Sequence, residues 1–331
     1  MATLKDVAKL AHCDISTVSR ALNNSAPVHP ETRARIMAAV KELGYKPNMI
    51  AKSLKMGRRN LIAFISPTIR LNIFSDLSVE IQREAEKMGY QTLIINTKAD
   101  AVTEAKCLTD LRGMVDGIII ASTGQNNRLI RDIAGDGVAV IQLIRKQDEK
   151  ISSVISNYYD ATKEAVRFLH KKGCNHIGML HGNENVKPFE ERLKGYRKIT
   201  RELHLPEIIA GTKAFTVPGF HDGLNGVKQL LEMDPELDAV LASTDLQGLG
   251  ALRALKELNI PCPEQIKIVS LTGFSLGPML ETSMTSMEVP SPEMGRAALR
   301  LLIDQIESGD KKKPSLQHIV FNATLTERET T

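Results

Sequence analysis

The chain is predicted to be an α/β protein carrying a small all-α head, and three observations predict it. Short runs rich in β-branched residues alternate with longer amphipathic stretches from residue 61 onward, the pattern of parallel sheets covered on both faces. That alternation parts into two clusters near 157–160, so two doubly wound lobes are expected. The first sixty residues read instead as three short helices and hold eleven Lys/Arg against four Asp/Glu, whereas the rest holds 32 against 35. A basic head on a mildly acidic body implies that the head meets a polyanion.

Within the head, Thr3-Leu4-Lys5-Asp6 has the spacing of a capping box, with Thr3 as N-cap of a helix whose Leu4, Val7, Ala8 and Ala11 recur at helical period. After a break at His12-Cys13, Asp14 can cap a second helix with Ile15 and Val18 inward and Leu22 at the edge of that face. Two helices of about two turns joined by so short a turn form a helix-turn-helix. Pro30 suits the first position of a third helix running to Leu43, with Ile36, Ala39, Val40 and Leu43 inward and Gly44 as its stop. A plain helical bundle with a solvated basic face has the same pattern.

The string "LKDVAKLAHCDISTVSRALNN", followed by "VHPETRARIMAAVKELGYKPNMIAKSLK", closely resembles the head of the lactose/galactose repressor (LacI/GalR) family, without a gap. The family's Gly-Val-Ser turn is His12-Cys13-Asp14 here; the glycine position calls for a left-handed backbone, and Asp replaces Ser as cap at little cost. His29 stands where Ser usually caps the third helix, which implies a weaker start. The resemblance implies that the second helix enters the DNA major groove, with Ile15 and Ser16 varying with operator sequence and Arg20 reading a guanine through O6 and N7. It places Thr17, Ser19, Asn23 and Tyr45 beside phosphates and counts Thr3 among the DNA-binding residues. It also implies a hinge helix after Pro47, with Asn48, Ala51, Lys52 and Lys55 near the backbone and Leu54 wedged into a base step from the minor groove. From composition alone 46–60 is a basic linker. The expected domains are 1–47 for the head, 48–59 for the hinge and 60–331 for the body.

In the body, strands are expected at 61–66, 91–96, 116–121, 138–143, 176–180, 238–242 and 266–271. Helices are expected at 75–89, 101–113, 126–135, 159–173, 189–203, 220–233, 245–258 and 290–307. "NIFSDL", "FEERLKGYRK", "ASTDLQGLGALRAL" and "TLTERET" carry the resemblance further, more weakly. It implies a two-lobed body like the periplasmic sugar-binding proteins. The chain then crosses between lobes three times, with 60–157 and about 289–318 in one and 160–287 with 319–331 in the other. Ligands of such folds sit at the carboxyl ends of the strands, here between the lobes. By position and resemblance the effector pocket draws on Arg70, Phe74, Arg145, Arg192, Phe220, Thr244, Asp245, Phe274 and Ser275. Arg192 matches the family's effector-contacting arginine, and Asp245 is as suited to capping a helix as to touching a ligand. Ile144 and Ser275 replace two positions that are commonly acidic. Arginines gained and carboxylates lost suit an anionic effector, a sugar phosphate or sugar acid, because guanidinium forks bind such groups bidentately. Segments 242–251 and 271–277 look more like the family's trehalose repressors than its lactose repressors.

Gly273-Phe274-Ser275-Leu276-Gly277 matches the G-x-S-x-G nucleophile elbow, with Asp304 and His318 following in hydrolase order. Only 56 residues follow Ser275, Pro278 comes three residues later, and no HGGG-type loop precedes it, so no enzyme is expected. No apolar run reaches eighteen residues. Lys5, Asp6 and Lys9 interrupt any signal-peptide core, and the four cysteines are scattered, all of which points to a reducing cytoplasm. His170, Cys174, His176 and His181 fit no common zinc spacing, so neither metal nor cofactor is expected. The whole reads as a homodimeric repressor of sugar-metabolism genes that binds a palindromic operator in double-stranded DNA and answers to a sugar-type effector. A dimer is expected because no leucine-heptad tail follows "TLTERETT". The alternatives are a corepressor-activated regulator and a sugar-binding receptor without an operator.

Overall fold

Short apolar runs that no single helix layer could hide pair into two six-stranded sheets. The computed structural model describes residues 2–23, 26–45, 59–211, 219–273, 277–308 and 315–331, with Asn23 described by its backbone alone. Its contacts divide the chain into two units at Arg59/Asn60.

In the head, α1 (Leu4–Leu10) begins with the expected reciprocal cap. The Thr3 backbone N–H donates to Asp6 Oδ2 at 2.8 Å, and the Asp6 N–H donates to Thr3 Oγ1 at 3.4 Å. His12 turns the chain at φ 49°, the left-handed conformation its glycine-like position calls for. The N–H groups of Thr17 and Val18 then donate to the Asp14 carbonyl, which puts Asp14 at the cap of α2 (Ile15–Asn23). α3 (Pro30–Glu42) has His29 as N-cap with no side-chain cap bond, the weaker start that its departure from Ser implied. Gly44 at φ +56° lets its own N–H and that of Tyr45 reach back to Lys41 and Val40, closing a Schellman-type end. Val7, Ala8, Ala11, Val18, Ala21, Ile36 and Ala39 form the core. Ile15 corrects the expectation that it faces inward: it is 42% exposed, and the three-helix core closes one turn further on, at Val18.

The body contains β1 (Leu61–Ser66), α4 (Asn72–Lys87), β2 (Gln91–Asn96), α5 (Ala101–Leu111), β3 (Gly117–Ile120), α6 (Asn127–Gly135), β4 (Ala139–Leu143) and β5 (Ser153–Ser156). It continues with α7 (Tyr158–Lys171), β6 (Ile177–His181), α8 (Lys187–Glu202), β7 (Ile208–Gly211), α9 (Phe220–Met233), β8 (Ala239–Ala242), α10 (Asp245–Glu257), β9 (Lys267–Ser270) and β10 (Thr285–Glu288). It closes with α11 (Ser291–Ser308), β11 (His318–Phe321) and β12 (Thr324–Thr326). One sheet runs β11-β5-β4-β3-β1-β2 and the other β12-β10-β9-β8-β6-β7. Neighbours are parallel except β10 and β12. The inner strands β3 and β8 are buried along their whole length, as parallel strands covered on both faces must be.

The chain passes from the first sheet to the second after β5, returns after β10, and leaves again after β11. The last crossing shifts the expected boundary. A division at 318/319 would cut β11, which pairs with β5 from His318↔Ser153 to Phe321↔Ser156. Strands β5, β7, β10, β11 and β12 were not anticipated; each is three or four residues long, too short to show a period of two. In the second lobe, α9 and α10 touch backbone to backbone. A Cβ on Gly223 would lie 2.0 Å from the Gln247 carbonyl oxygen, and one on Gly250 would lie 2.0 Å from that of Phe220. These two glycines set how closely α9 and α10 approach. Among the described residues no helix is long and apolar enough to cross a membrane.

Candidate functional site

Helix α2 of the head buries Val18 and Ala21 and leaves Ile15, Ser16 and Arg20 exposed, with Thr17 and Ser19 half-buried. An apolar tip, a hydroxyl and a guanidinium are thereby offered together on one helix end, the equipment needed to read base edges. The Thr3 hydroxyl donates to Asp6 Oδ2 at 2.7 Å and is occupied by the cap. Tyr45 packs half-buried against the head core. The Asn23 side chain, Asn48, Ala51, Lys52, Leu54 and Lys55 lie outside the described residues, as do Phe274 and Ser275.

In the first lobe the carboxyl ends of the strands are organised around Glu104. Its buried carboxylate accepts hydrogen bonds from Ser122 Oγ (3.0 Å), the Thr123 backbone N–H (2.7 Å), Thr123 Oγ1 (2.9 Å) and Asn126 Nδ2 (3.0 Å). After β4 the backbone makes a three-residue turn in which the Arg145 N–H donates to the Leu143 carbonyl at 2.7 Å and Ile144 sits at φ 68°. A β-branched residue is strained there. The turn is held because the Ile144 N–H donates to Val154 O at 2.9 Å and Ile144 O accepts from the Tyr158 hydroxyl at 3.1 Å. Arg145 is 5% exposed and its guanidinium makes one hydrogen bond, to Ser122 O at 3.3 Å. Burial lowers its pKa to about 10, opposed by the charges of Glu104 and Tyr158; it remains a cation at neutral pH.

The second lobe repeats the device. Arg192 on α8 is 3% exposed and donates to the Leu271 carbonyl at 3.1 Å. Its guanidinium lies over the rings of Tyr158 (5.0 Å) and Phe189 (5.8 Å), a cation–π seat that partly replaces lost hydration. Burial takes its pKa to about 10, opposed by Tyr158 and Asp245. Asp245 accepts from Ser270 Oγ at 2.6 Å, and its own N–H donates to Thr272 Oγ1 at 3.1 Å. Burial raises its pKa. Asp245 does not cap α10: Thr244 does, accepting the Gln247 N–H at 3.2 Å. Among the described residues neither Arg145 nor Arg192 enters an ion pair.

Tyr158 joins the two rims, since its hydroxyl binds Ile144 of the first lobe while its ring underlies Arg192 of the second. Sequence reasoning missed it; the one available signal was an aromatic pair, Tyr158-Tyr159, at the expected crossing. The site therefore gathers Arg145, Arg192, Thr244 and Asp245. Phe74 lies in the first lobe's core, 3% exposed, and Arg70 is exposed with its backbone N–H on Thr68 Oγ1. Phe220 opens α9, 37% exposed, edge-on to His221. No hydrogen bond, ion pair or ring contact among the described residues ties Arg70 or Phe220 to Arg192. Three further strand ends carry buried polar atoms without partners: Ser66 Oγ closing β1, both ring nitrogens of His181 closing β6, and Ser243 Oγ just after β8. Such atoms cost stability unless something outside the chain binds them.

The hydrolase arrangement gains nothing here. His318 has both ring nitrogens engaged, Nδ1 with Ser153 Oγ at 2.9 Å and Nε2 with Glu149 O at 3.2 Å.

A helix-turn-helix unit followed by a two-lobed body with buried, unpaired cations at its strand ends defines a ligand-responsive DNA-binding protein. The pattern of bacterial regulatory proteins of the lacI family matches residues 3–48, and that of the periplasmic binding protein-like domain matches residues 166–331. The ribose operon repressor of Halalkalibacterium halodurans is 30% identical over 334 aligned residues, which cover 100% of this chain and 97% of that one. A solved complex of the transcriptional regulator CelR with cellobiose is similar over the full length of both chains, at 26% identity and a TM-score of 0.74. The lac repressor dimer bound to operator and an anti-inducer shares the fold at a TM-score of 0.87 and 22% identity, over 99% of this chain and 98% of that one. The chain belongs to the LacI family of DNA-binding transcriptional regulators and is not an enzyme.

Proposed function

We propose that the protein is a cytoplasmic, homodimeric repressor of sugar-metabolism genes that binds a palindromic operator and releases it when an anionic sugar, a phosphate or an acid, enters the interlobe cleft. One observation carries the effector class: among the described residues Arg145 and Arg192 are buried cations without a carboxylate partner, and both neighbour Tyr158. An unpaired buried charge costs several kcal/mol, and a bidentate anion is the natural compensation. Thr244, Asp245 and the hydroxyls of Ser66 and Ser243 suit the neutral part of such a molecule. Ile15, Ser16 and Arg20 read bases, while Thr17, Ser19, Asn23 and Tyr45 serve phosphates, with Asn48, Ala51, Lys52, Leu54 and Lys55 as the hinge. Effector alters the angle between lobes and so separates paired hinges. Dimerisation is supported by exposed apolar side chains in the first lobe, Val79, Leu93, Ile94 and Val102, and by β2, an edge strand whose free edge suits a partner.

Operator selection from random DNA with the full-length protein, with and without sugar phosphates and sugar acids, tests the reading. Anionic sugars are expected to raise the melting temperature and release the operator. Arg192→Ala is expected to weaken that response about 10- to 100-fold, the worth of a lost charge-assisted hydrogen bond, while operator affinity is kept. A neutral sugar that acts while its phosphates do nothing overturns the effector class. Binding that strengthens with effector reverses the sign of regulation.

A further inference from the structure

A cavity of about 330 Å³ lies in the second lobe beside α9, lined by His181, Gly211, Asp222, Asn225, Gln229 and Gln247 among others. Its position follows from the sequence. Asp222, Asn225 and Gln229 recur at i, i+3 and i+7 on α9, so one helix face presents all three, while β6 and β7 end in His181 and Gly211 and provide the opposite wall. The volume falls in the range of small-molecule sites. Its polar groups are under-used. His181 is 6% exposed and neither ring nitrogen has a hydrogen-bond partner. Asp222 uses Oδ2 to accept the Gly219 N–H at 2.8 Å, and the carboxamides of Asn225 and Gln229 make no hydrogen bond among the described residues.

We infer that this cavity is a second binding site, for a neutral polyhydroxylated molecule of about one sugar ring. The chemistry excludes the class proposed for the cleft. Among the described residues no lysine or arginine lines the cavity, and the one carboxylate among them, Asp222, repels anions. Burial, with the charges of Arg192 and Arg197, holds His181 at a pKa of about 4, so the imidazole is neutral and presents one donor and one acceptor. One carboxylate, three carboxamides and a neutral imidazole match hydroxyls, each of which both donates and accepts. Phe189 separates the two sites: its ring lies edge-on to His181 at 6.1 Å and under Arg192 at 5.8 Å. The inference does not depend on an anionic ligand in the cleft.

The test uses full-length protein labelled with ¹³C at histidine, titrated in parallel with D-ribose, D-glucose, myo-inositol and inorganic phosphate. At least one polyol at millimolar concentration is expected to move the His181 Cε1–H resonance saturably, and inorganic phosphate is expected not to. The pair Asn225→Leu and Gln229→Leu, both on the exposed side of the helix, should weaken the polyol response about tenfold or more with an unchanged melting temperature. His181→Phe keeps the ring packing and should weaken polyol binding measured by calorimetry. Arg192→Ala should leave the polyol response intact, which separates this site from the cleft. The inference is overturned if no polyol moves the resonance, if phosphate moves it equally, or if the response survives the Asn225/Gln229 pair and disappears with Arg192→Ala.

Discussion

The rims of the two lobes are built to one plan and finished differently. Each holds a buried arginine near a buried carboxylate that it does not touch, Arg145 with Glu104 and Arg192 with Asp245. In the first lobe the carboxylate is saturated by four donors from Ser122, Thr123 and Asn126, and those bonds tie α5 to the end of β3. In the second lobe Asp245 has fewer side-chain partners, Ser270 and Thr272, and Ser243 Oγ at the end of β8 has none. A saturated polar network rigidifies, whereas a half-satisfied one is costly and is kept where a ligand completes it. The first rim is therefore a wall at its carboxylate, with Ser66 Oγ and the Arg145 guanidinium left open beside it, and the second is where the carboxylate itself can take new hydrogen bonds.

That contrast can be broken most forcefully at Glu104. Glu104→Ala strands four donors in the interior and is expected to cost about 3–5 kcal/mol, read by urea unfolding; a cost comparable to that of a surface substitution would remove the distinction between wall and binding face. The next effect is a pH dependence in the second lobe. His181 titrates at about 4 in the folded protein against 6.5 ordinarily. Between those values the unfolded chain holds a proton that the folded chain does not. Stability from this group is thus complete above pH 6.5 and is lost as pH falls toward 4, by about 3 kcal/mol. His181→Phe should flatten that part of the stability–pH curve, and an unchanged slope would show that the group is not buried as described. Smaller still is Tyr158→Phe, which leaves the Ile144 carbonyl unpaired and should cost about 1–2 kcal/mol. Its sharper readout is the effector response, since the same side chain touches both rims.

Much of this was legible in the chain. The eight helices of the body fall within three residues of their expected bounds, because amphipathic stretches of nine to eighteen residues carry a clear period. The turn at His12, the cap at Thr3 and the stop at Gly44 were legible for a different reason: each is a local conformational demand met by few residue types. Ile15 was misplaced because periodicity says which residues share a face and not where the covering helices end. The site was legible in part. The structure brings Arg145, Arg192, Thr244 and Asp245 together at the strand ends, but the roles of Tyr158 and Glu104 were not legible, because they arise from Ile144 and from Ser122, 14 and 18 positions away, which meet them only in the fold.

Sequence by itself determined the class of the molecule: a basic three-helix head, and strands alternating with helices in two clusters. These follow from local periodicity, capping and charge, which do not depend on distant partners. Only the tertiary structure decided which charges go unpaired, that one tyrosine spans both rims, and that a polar cavity opens beside α9. Whether a buried group is satisfied depends on every neighbour within hydrogen-bond reach, and those neighbours are chosen by sheet order and helix packing rather than by position along the chain.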